Sequence, residues 1–259
     1  MRSITVVNQY LTDITWHKAA TCTFGISNNL DIWKIGVSSN MSLTDDFLTM
    51  LAPDEIARAS RFYQLKDRNR FIISRGALRL ILGEYLNQSP SNVEFGVGEN
   101  SKPYIKSGNP LNLQYNLSHS GDAILLAVSN SAIGADIEFI NRSFGFNEVL
   151  DDNFSVAEIN YIKEENSIDR FFRLWTRKEA LTKATAQGLD GDLRLIPVLD
   201  GTHLIQPGII ASNANWLIKT FALNNQYTAS IASAPFVNEI SFWDLDVISN
   251  LNGFRFQFK

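Results

Sequence analysis

The stretch Ile133-Gly134-Ala135-Asp136-Ile137-Glu138-Phe139 decides how this chain is read. In a strand, successive side chains point to opposite faces. Ile133, Ala135, Ile137 and Phe139 then share an apolar face, and Asp136 and Glu138 lie together on the other. Adjacent carboxylates repel unless a cation lies between them, and magnesium takes such hard oxygen ligands, usually completed by phosphate and water. A half-exposed strand with its polar face in water gives the same pattern, so the strand alone leaves both readings open.

Downstream, Ser155-Val156-Ala157-Glu158 is a capping box, in which hydroxyl and carboxylate satisfy free N–H groups at a helix start. A further helix is expected from about Ile168 to Gln187, with Gly188 where a left-handed cap belongs. Within it Trp175, Glu179 and Lys183 share one face, and Lys178 lies beside Glu179. One acid with two lysines can hold a metal through the acid and phosphate oxygens through the lysines. The pair Glu179 and Lys183 also has the spacing of an exposed ion pair, worth only about 0.2–0.5 kcal/mol.

Upstream, Ala123–Val128 and Ile133–Ile140 flank the turn-like Ser129-Asn130-Ser131 and are expected to pair as an antiparallel hairpin. Val93–Val97, Lys102–Ile105 and the alternating Leu30–Val37 read as strands, as do Trp216–Leu223, Tyr227–Ala232 and Glu239–Trp243. Helical spacing runs from Pro53 to about Leu86 with a break near Lys66. Strand, helices, strands thus occurs twice. Asp31-Ile32-x-x-Ile35 resembles Asp136-Ile137-x-x-Ile140, and Arg75-Gly76-Ala77-Leu78 resembles Lys178-Glu179-Ala180-Leu181, at offsets of 105 and 103 residues. If the unit is duplicated, Gly76 stands in the place of Glu179 and only the second copy keeps the acid. The fold class expected is α+β, as two similar halves over residues 1–130 and 131–259.

Composition narrows the function. With 259 residues, 45% of them hydrophobic, the chain can bury a substantial core. The net charge of −4 lacks the basic bias of a nucleic-acid binder. A single cysteine, Cys22, excludes a disulfide framework within the chain, and His17, His119 and His203 are too far apart for a short-range metal motif. No apolar run approaches the roughly 20 residues of a membrane helix, and Asn8 and Gln9 break the N-terminal apolar stretch, unlike a signal peptide. A soluble cytoplasmic protein is expected.

Taken together, the segments resemble the signature of the 4'-phosphopantetheinyl transferases of the surfactin (Sfp) type. That family shows an apolar-Gly-x-Asp-x-Glu strand and, about forty residues later, an aromatic-Ser/Thr/Cys-x-Lys-Glu-Ala/Ser-x-x-Lys helix. Here these are Ile133–Glu138 and Trp175–Lys183, with 41 residues from Glu138 to Glu179. Asn116-Leu117-Ser118-His119-Ser120 resembles the family's Asn-[Ile/Leu]-Ser-His-[Ser/Thr] motif. Ser101-Lys102-Pro103-Tyr104 resembles its Gly-Lys-Pro stretch with Ser101 for glycine, and Arg58, Arg61-Phe62 and Arg70 resemble its basic helix. The Gly-x-Gly-Leu that often follows the family's helix is Ala186-Gln187-Gly188-Leu189 here, and the helix is expected to extend by a residue.

The resemblance implies two α+β halves in pseudo-twofold arrangement with the active site in the cleft between them. It also implies transfer of the phosphopantetheine arm of coenzyme A to a serine of an acyl or peptidyl carrier protein, releasing 3',5'-ADP. Asp136, Glu138 and Glu179 would hold Mg²⁺; Glu179 would also be the general base, and Lys183 would bind the transferring phosphate. Cofactor contacts would come from Arg58, Arg61, Arg70, Lys102, Ser118, His119, Lys178 and Lys183, with Arg75 adding to the basic surface. His119 could equally be a strand-end histidine bonded to a carbonyl, and Lys102 a solvated loop lysine. Partners would be coenzyme A and an acidic carrier docked on an apolar patch with basic neighbours, with no membrane and no nucleic acid; the length favours a monomer. A non-catalytic binding module and a magnesium-dependent phosphohydrolase are the alternatives.

Overall fold

A computed structural model describes residues 3–106, 109–165, 167–188, 191–235, 239–245 and 254. In chain order the elements are β1 Ile4–Tyr10, β2 Trp16–Lys18, β3 Asn29–Gly36, α1 Thr44–Met50, α2 Pro53–Ala59, α3 Leu65–Leu86, β4 Phe95–Val97, β5 Pro103–Ile105, β6 Gln114–Ser120, β7 Ala123–Ser129 and β8 Ile133–Phe139. There follow α4 Asn147–Asn153, α5 Val156–Lys163, α6 Ser167–Thr185, β9 Gly201–Ile205, β10 Trp216–Asn224, β11 Tyr227–Ser233 and β12 Glu239–Asp244. The strands form two five-stranded sheets, ordered β2-β12-β3-β7-β6 and β8-β11-β10-β1-β9, beside the small pair β4-β5.

The alternation of apolar residues fixes the layers. On β7, Ile124, Leu126 and Val128 pack with α1 and α3, while Leu125 and Ala127 face the other sheet. A strand covered on both sides reads as the unbroken apolar run seen here. Ile133, Ala135 and Ile137 of β8 meet Leu30, Ile32 and Phe221 between the sheets. A third cluster joins α4, α5 and α6 to β1 and β10. The molecule is thus helices, sheet, sheet, helices: an α+β fold with three buried seams.

The two units repeat one topology. In the first, β3 pairs antiparallel with β7 and β7 with β6. In the second, β8 pairs antiparallel with β11 and β11 with β10. The chain ends cross over: β1 adds parallel to β10, and β12 adds parallel to β3. Where β8 carries Asp136 towards α6, β3 carries Asp31 towards α3, but Asp31 is buried and accepts hydrogen bonds from Tyr85 Oη and Trp243 Nε1. Gly76 lies directly under Phe47. Aromatic packing thus fills the place that the acids take in the second unit.

Two expectations are corrected. The strands β7 and β8 do not form a hairpin: β7 lies in one sheet and β8 in the other, and Ser129-Asn130-Ser131 carries the chain between them. The hairpin is β6–β7, turning at Gly121, whose φ is +56°. The helix α6 does not extend past Thr185. Ala186 itself takes the left-handed conformation at φ +53°, with its carbonyl accepting from Asn100 Nδ2 at 2.6 Å, and Gly188 is also left-handed at +70°. Leu189 lies outside the described residues. An L-alanine in this region carries about 1 kcal/mol of steric cost that glycine avoids. Ala186→Gly is therefore expected to raise stability by up to about 1 kcal/mol in urea unfolding; a lowered unfolding midpoint would contradict this account.

Candidate active site

The site begins at Gly134. A Cβ there would collide with the carbonyl oxygen of Ala180 and the amide nitrogen of Ala184, so α6 lies against β8 only because the strand has no side chain at that point. This close approach sets Asp136 and Glu138, on the same strand face, under Glu179 and Lys183. Lys183 Nζ reaches Asp136 Oδ1 at 2.6 Å.

The three acids share one electrostatic condition. Burial raises the Asp136 pKa against the opposing pull of Lys183, and leaves Asp136 Oδ2 without a hydrogen-bond partner. Burial, then the neighbouring Asp136, push Glu138 up to about 7, with Glu179 adding to the effect. Glu179 is raised by burial and by Asp136, again opposed by Lys183. The group is short of positive charge. Even so, among the described residues no three acid, histidine or cysteine side chains stand close enough to hold one ion together. In this arrangement the expected triad is not a closed ligand set, and Lys183 supplies the cation at Asp136.

The edge of β8 that does not pair with β11 faces β6, itself the edge of the other sheet. Side chains join the two. Asn116 Oδ1 accepts from the Ala135 N–H at 2.8 Å, Ser118 Oγ from Ile137 at 3.4 Å and Ser120 Oγ from Phe139 at 3.0 Å. The serine hydroxyls also donate to the acids, Ser118 to Asp136 Oδ1 and Ser120 to Glu138 Oε2, both at 2.9 Å. Ser118, expected at the cofactor phosphates, is thus committed to Asp136, Ile137 and, at 3.3 Å, Lys183 Nζ. Asn116 and Ser120 were not among the expected site residues. Their signal was the i, i+2, i+4 spacing of polar side chains, which places all three on one face of β6.

Other expected contacts fall differently. Lys102 donates to the carbonyls of Ile133 at 3.1 Å and Ala184 at 2.9 Å, tying the first unit to β8 and to the end of α6. Burial lowers its pKa to about 8. With Glu179, Lys183 and Leu117 it lines a cavity of about 250 Å³ between the units. His119 points the opposite way from Ser118 and is exposed. Its pKa is lowered by desolvation and by Arg70 and Lys183, which places both cations near it. Arg70 is paired with Asp67 at 2.9 Å. Arg58 is exposed and lies over the Phe71 ring, and Arg61 is exposed in the link between α2 and α3. Arg75 turns inward, sharing Glu55 with Arg79.

Lys178 is a correction. It is fully buried on the far side of α6, where Nζ donates to the carbonyls of Leu193 at 2.8 Å and Ile196 at 2.7 Å and pairs with Glu158 at 3.0 Å. A neighbour in sequence is turned about 100° around a helix, so adjacency to Glu179 carried Lys178 out of the site. Arg177 is buried likewise, against Thr220, Val198 and Asp200. These cations anchor the segment after α6. Trp175 packs on Phe171 and Phe154 in the core.

Comparison with known proteins agrees with this geometry. Residues 132–232 match the 4'-phosphopantetheinyl transferase superfamily, and residues 39–131 match the N-terminal region of 4'-phosphopantetheinyl transferase. The 4'-phosphopantetheinyl transferase HetI of Nostoc sp. is 31% identical over 227 residues, covering 84% of this chain and 93% of that protein. A 4'-phosphopantetheinyl transferase of Bacillus subtilis is 26% identical over 73% of this chain and 85% of the relative. Sfp of Bacillus subtilis strain 168 is 25% identical over 73% and 84%. The chain belongs to the 4'-phosphopantetheinyl transferase family. It is an enzyme that moves phosphopantetheine from coenzyme A to carrier proteins. No helix among the described residues is long and apolar enough to cross a membrane.

Proposed function

We propose that Asp136, Glu138, Glu179 and Lys183 carry this transfer, with magnesium as the metal and 3',5'-ADP as the second product. The observation that supports it is the convergence of three acids with raised pKa values and one lysine at the seam of two sheets. The donor chemistry suits magnesium, since the three acids offer hard oxygens and Asp136 Oδ2 is buried with no donor to it; to hold one ion the acids would have to draw together from the open arrangement seen here. When bound there, magnesium would offset charge on the pyrophosphate and the leaving group.

The chain's own residues do the rest. Glu179, with no side-chain hydrogen bond among the described residues and a raised pKa, takes the proton of the carrier serine as its oxygen attacks phosphorus. The new P–O bond forms to the serine, and the bond to 3',5'-ADP breaks. Lys183 balances the transferring phosphate, for which it exchanges part of its contact with Asp136. Arg70 and His119, the latter with its pKa lowered by desolvation and by Arg70, would meet a further phosphate of coenzyme A. Residues 1–130 would supply cofactor contacts and residues 131–259 the acids and the catalytic helix, in a cytoplasmic monomer.

The direct test incubates the protein with coenzyme A, Mg²⁺ and an apo carrier protein, and weighs the carrier by mass spectrometry. The carrier gains the mass of one phosphopantetheine. Unchanged mass across fatty-acid, polyketide and peptide carriers would refute the assignment.

A further inference from the structure

We propose that Ser120 is a positioning residue, which sets the orientation of Glu138 through a side-chain ladder joining the two sheet edges. This rests on the reading of Glu138 as a metal acid. An edge strand presents a row of free N–H groups that need acceptors. On β8 the Ala135, Ile137 and Phe139 N–H groups are met by Asn116 Oδ1, Ser118 Oγ and Ser120 Oγ. Side chains of β6 therefore do what a neighbouring backbone does elsewhere in a sheet.

The ladder has a directional consequence. A hydroxyl that accepts from an N–H has its own proton free to donate. Ser118 directs that proton to Asp136 Oδ1, and Ser120 directs it to Glu138 Oε2. Each hydroxyl is held by the backbone of the residue that follows the acid it grips. The acid's rotamer is thus referred to the strand that carries it, and one oxygen is held while the other is left for a ligand. For Asp136 that second oxygen is the buried, partnerless Oδ2. Glu138 is longer and less buried than Asp136, so the bond from Ser120 does more to limit its freedom.

The test compares Ser120→Ala with Ser120→Thr, which keeps the hydroxyl. Mn²⁺ is the probe, its binding read by electron paramagnetic resonance with coenzyme A present and carrier absent. Loss of such a supporting hydrogen bond weakens metal binding about 10–100-fold. Ser120→Ala is expected to lose about tenfold in Mn²⁺ affinity while its KM for coenzyme A stays near that of the wild type, and Ser120→Thr is expected to restore binding. If the alanine variant does not fold, Ser120→Cys keeps the size and weakens the donor. Wild-type Mn²⁺ affinity in folded Ser120→Ala overturns the positioning role and leaves the metal acids standing. If the wild type itself binds no Mn²⁺ with coenzyme A present, both fall.

Discussion

Gly134→Ala is expected to destabilise the protein by about 3 kcal/mol or more, the upper range for overpacking a tight contact. The added methyl would meet the carbonyl oxygen of Ala180 and the amide of Ala184. Both are backbone atoms inside a helix and cannot swing aside as a side-chain tip would. Relief requires α6 to move bodily from β8, which opens the core under Leu174, Leu181 and Ile218. The same movement separates Lys183 from Asp136, so transfer falls along with stability. Gly145→Ala is the control, because a methyl there meets nothing within 4 Å. In thermal melts the Gly134 variant should unfold roughly 6–12 °C lower, and the Gly145 variant close to the wild type. Equal melting of the two would show that α6 is not seated on this glycine.

The second large effect is on chemistry. Glu179→Gln keeps size and hydrogen-bonding capacity but cannot take a proton. A positioned base contributes about 10²–10⁴-fold to rate, and a loss of that order in kcat is expected with the melting temperature preserved. Preservation is expected because no side-chain hydrogen bond of Glu179 within the described residues is lost and a raised-pKa acid is relieved. Asp136→Ala should abolish transfer without unfolding the chain, since the buried carboxylate is desolvated at a cost that Lys183 and Ser118 only partly offset. Near-wild-type transfer by either variant, measured as carrier mass against time, removes that residue from the catalytic group.

Local chemistry made some of this legible in the sequence. The period of two in Ile133–Phe139 gave both faces of β8 correctly: Ile133, Ala135 and Ile137 lie between the sheets while Asp136 faces α6. Ser155 and Glu158 exchange the expected bonds, Glu158 Oε2 accepting from the Ser155 N–H at 2.9 Å and Ser155 Oγ from the Glu158 N–H at 3.4 Å. What failed depends on distant partners. A run of Ser129-Asn130-Ser131 between two apolar strands looks like a hairpin turn, but β7 is taken by β3 and β8 by β11, whose residues lie far away in the chain. Lys178 carries no mark in its own vicinity that Glu158 and two carbonyls after α6 will receive it. Lys102, expected at the cofactor phosphates, has nothing near it in sequence that marks the carbonyls it holds, which belong to β8 and to the end of α6.

The exchanged chain ends bear on how this protein is made. The first sheet places β12 between β2 and β3, so β2 has no strand beside it, and β3 is paired only on its β7 side, until Glu239–Asp244 has been synthesised. The second sheet holds β1 as the bridge between β9 and β10, which follow it by roughly 200 residues. A nascent chain therefore carries an unfinished first layer, with exposed strand edges, until β12 emerges. Closing such distant pairings is slow and leaves edges open to misassociation. A ribosome-stalled chain ending before residue 239 should remain protease-sensitive in the first layer, where β2 and one edge of β3 stay open, and should acquire resistance there once β12 is added.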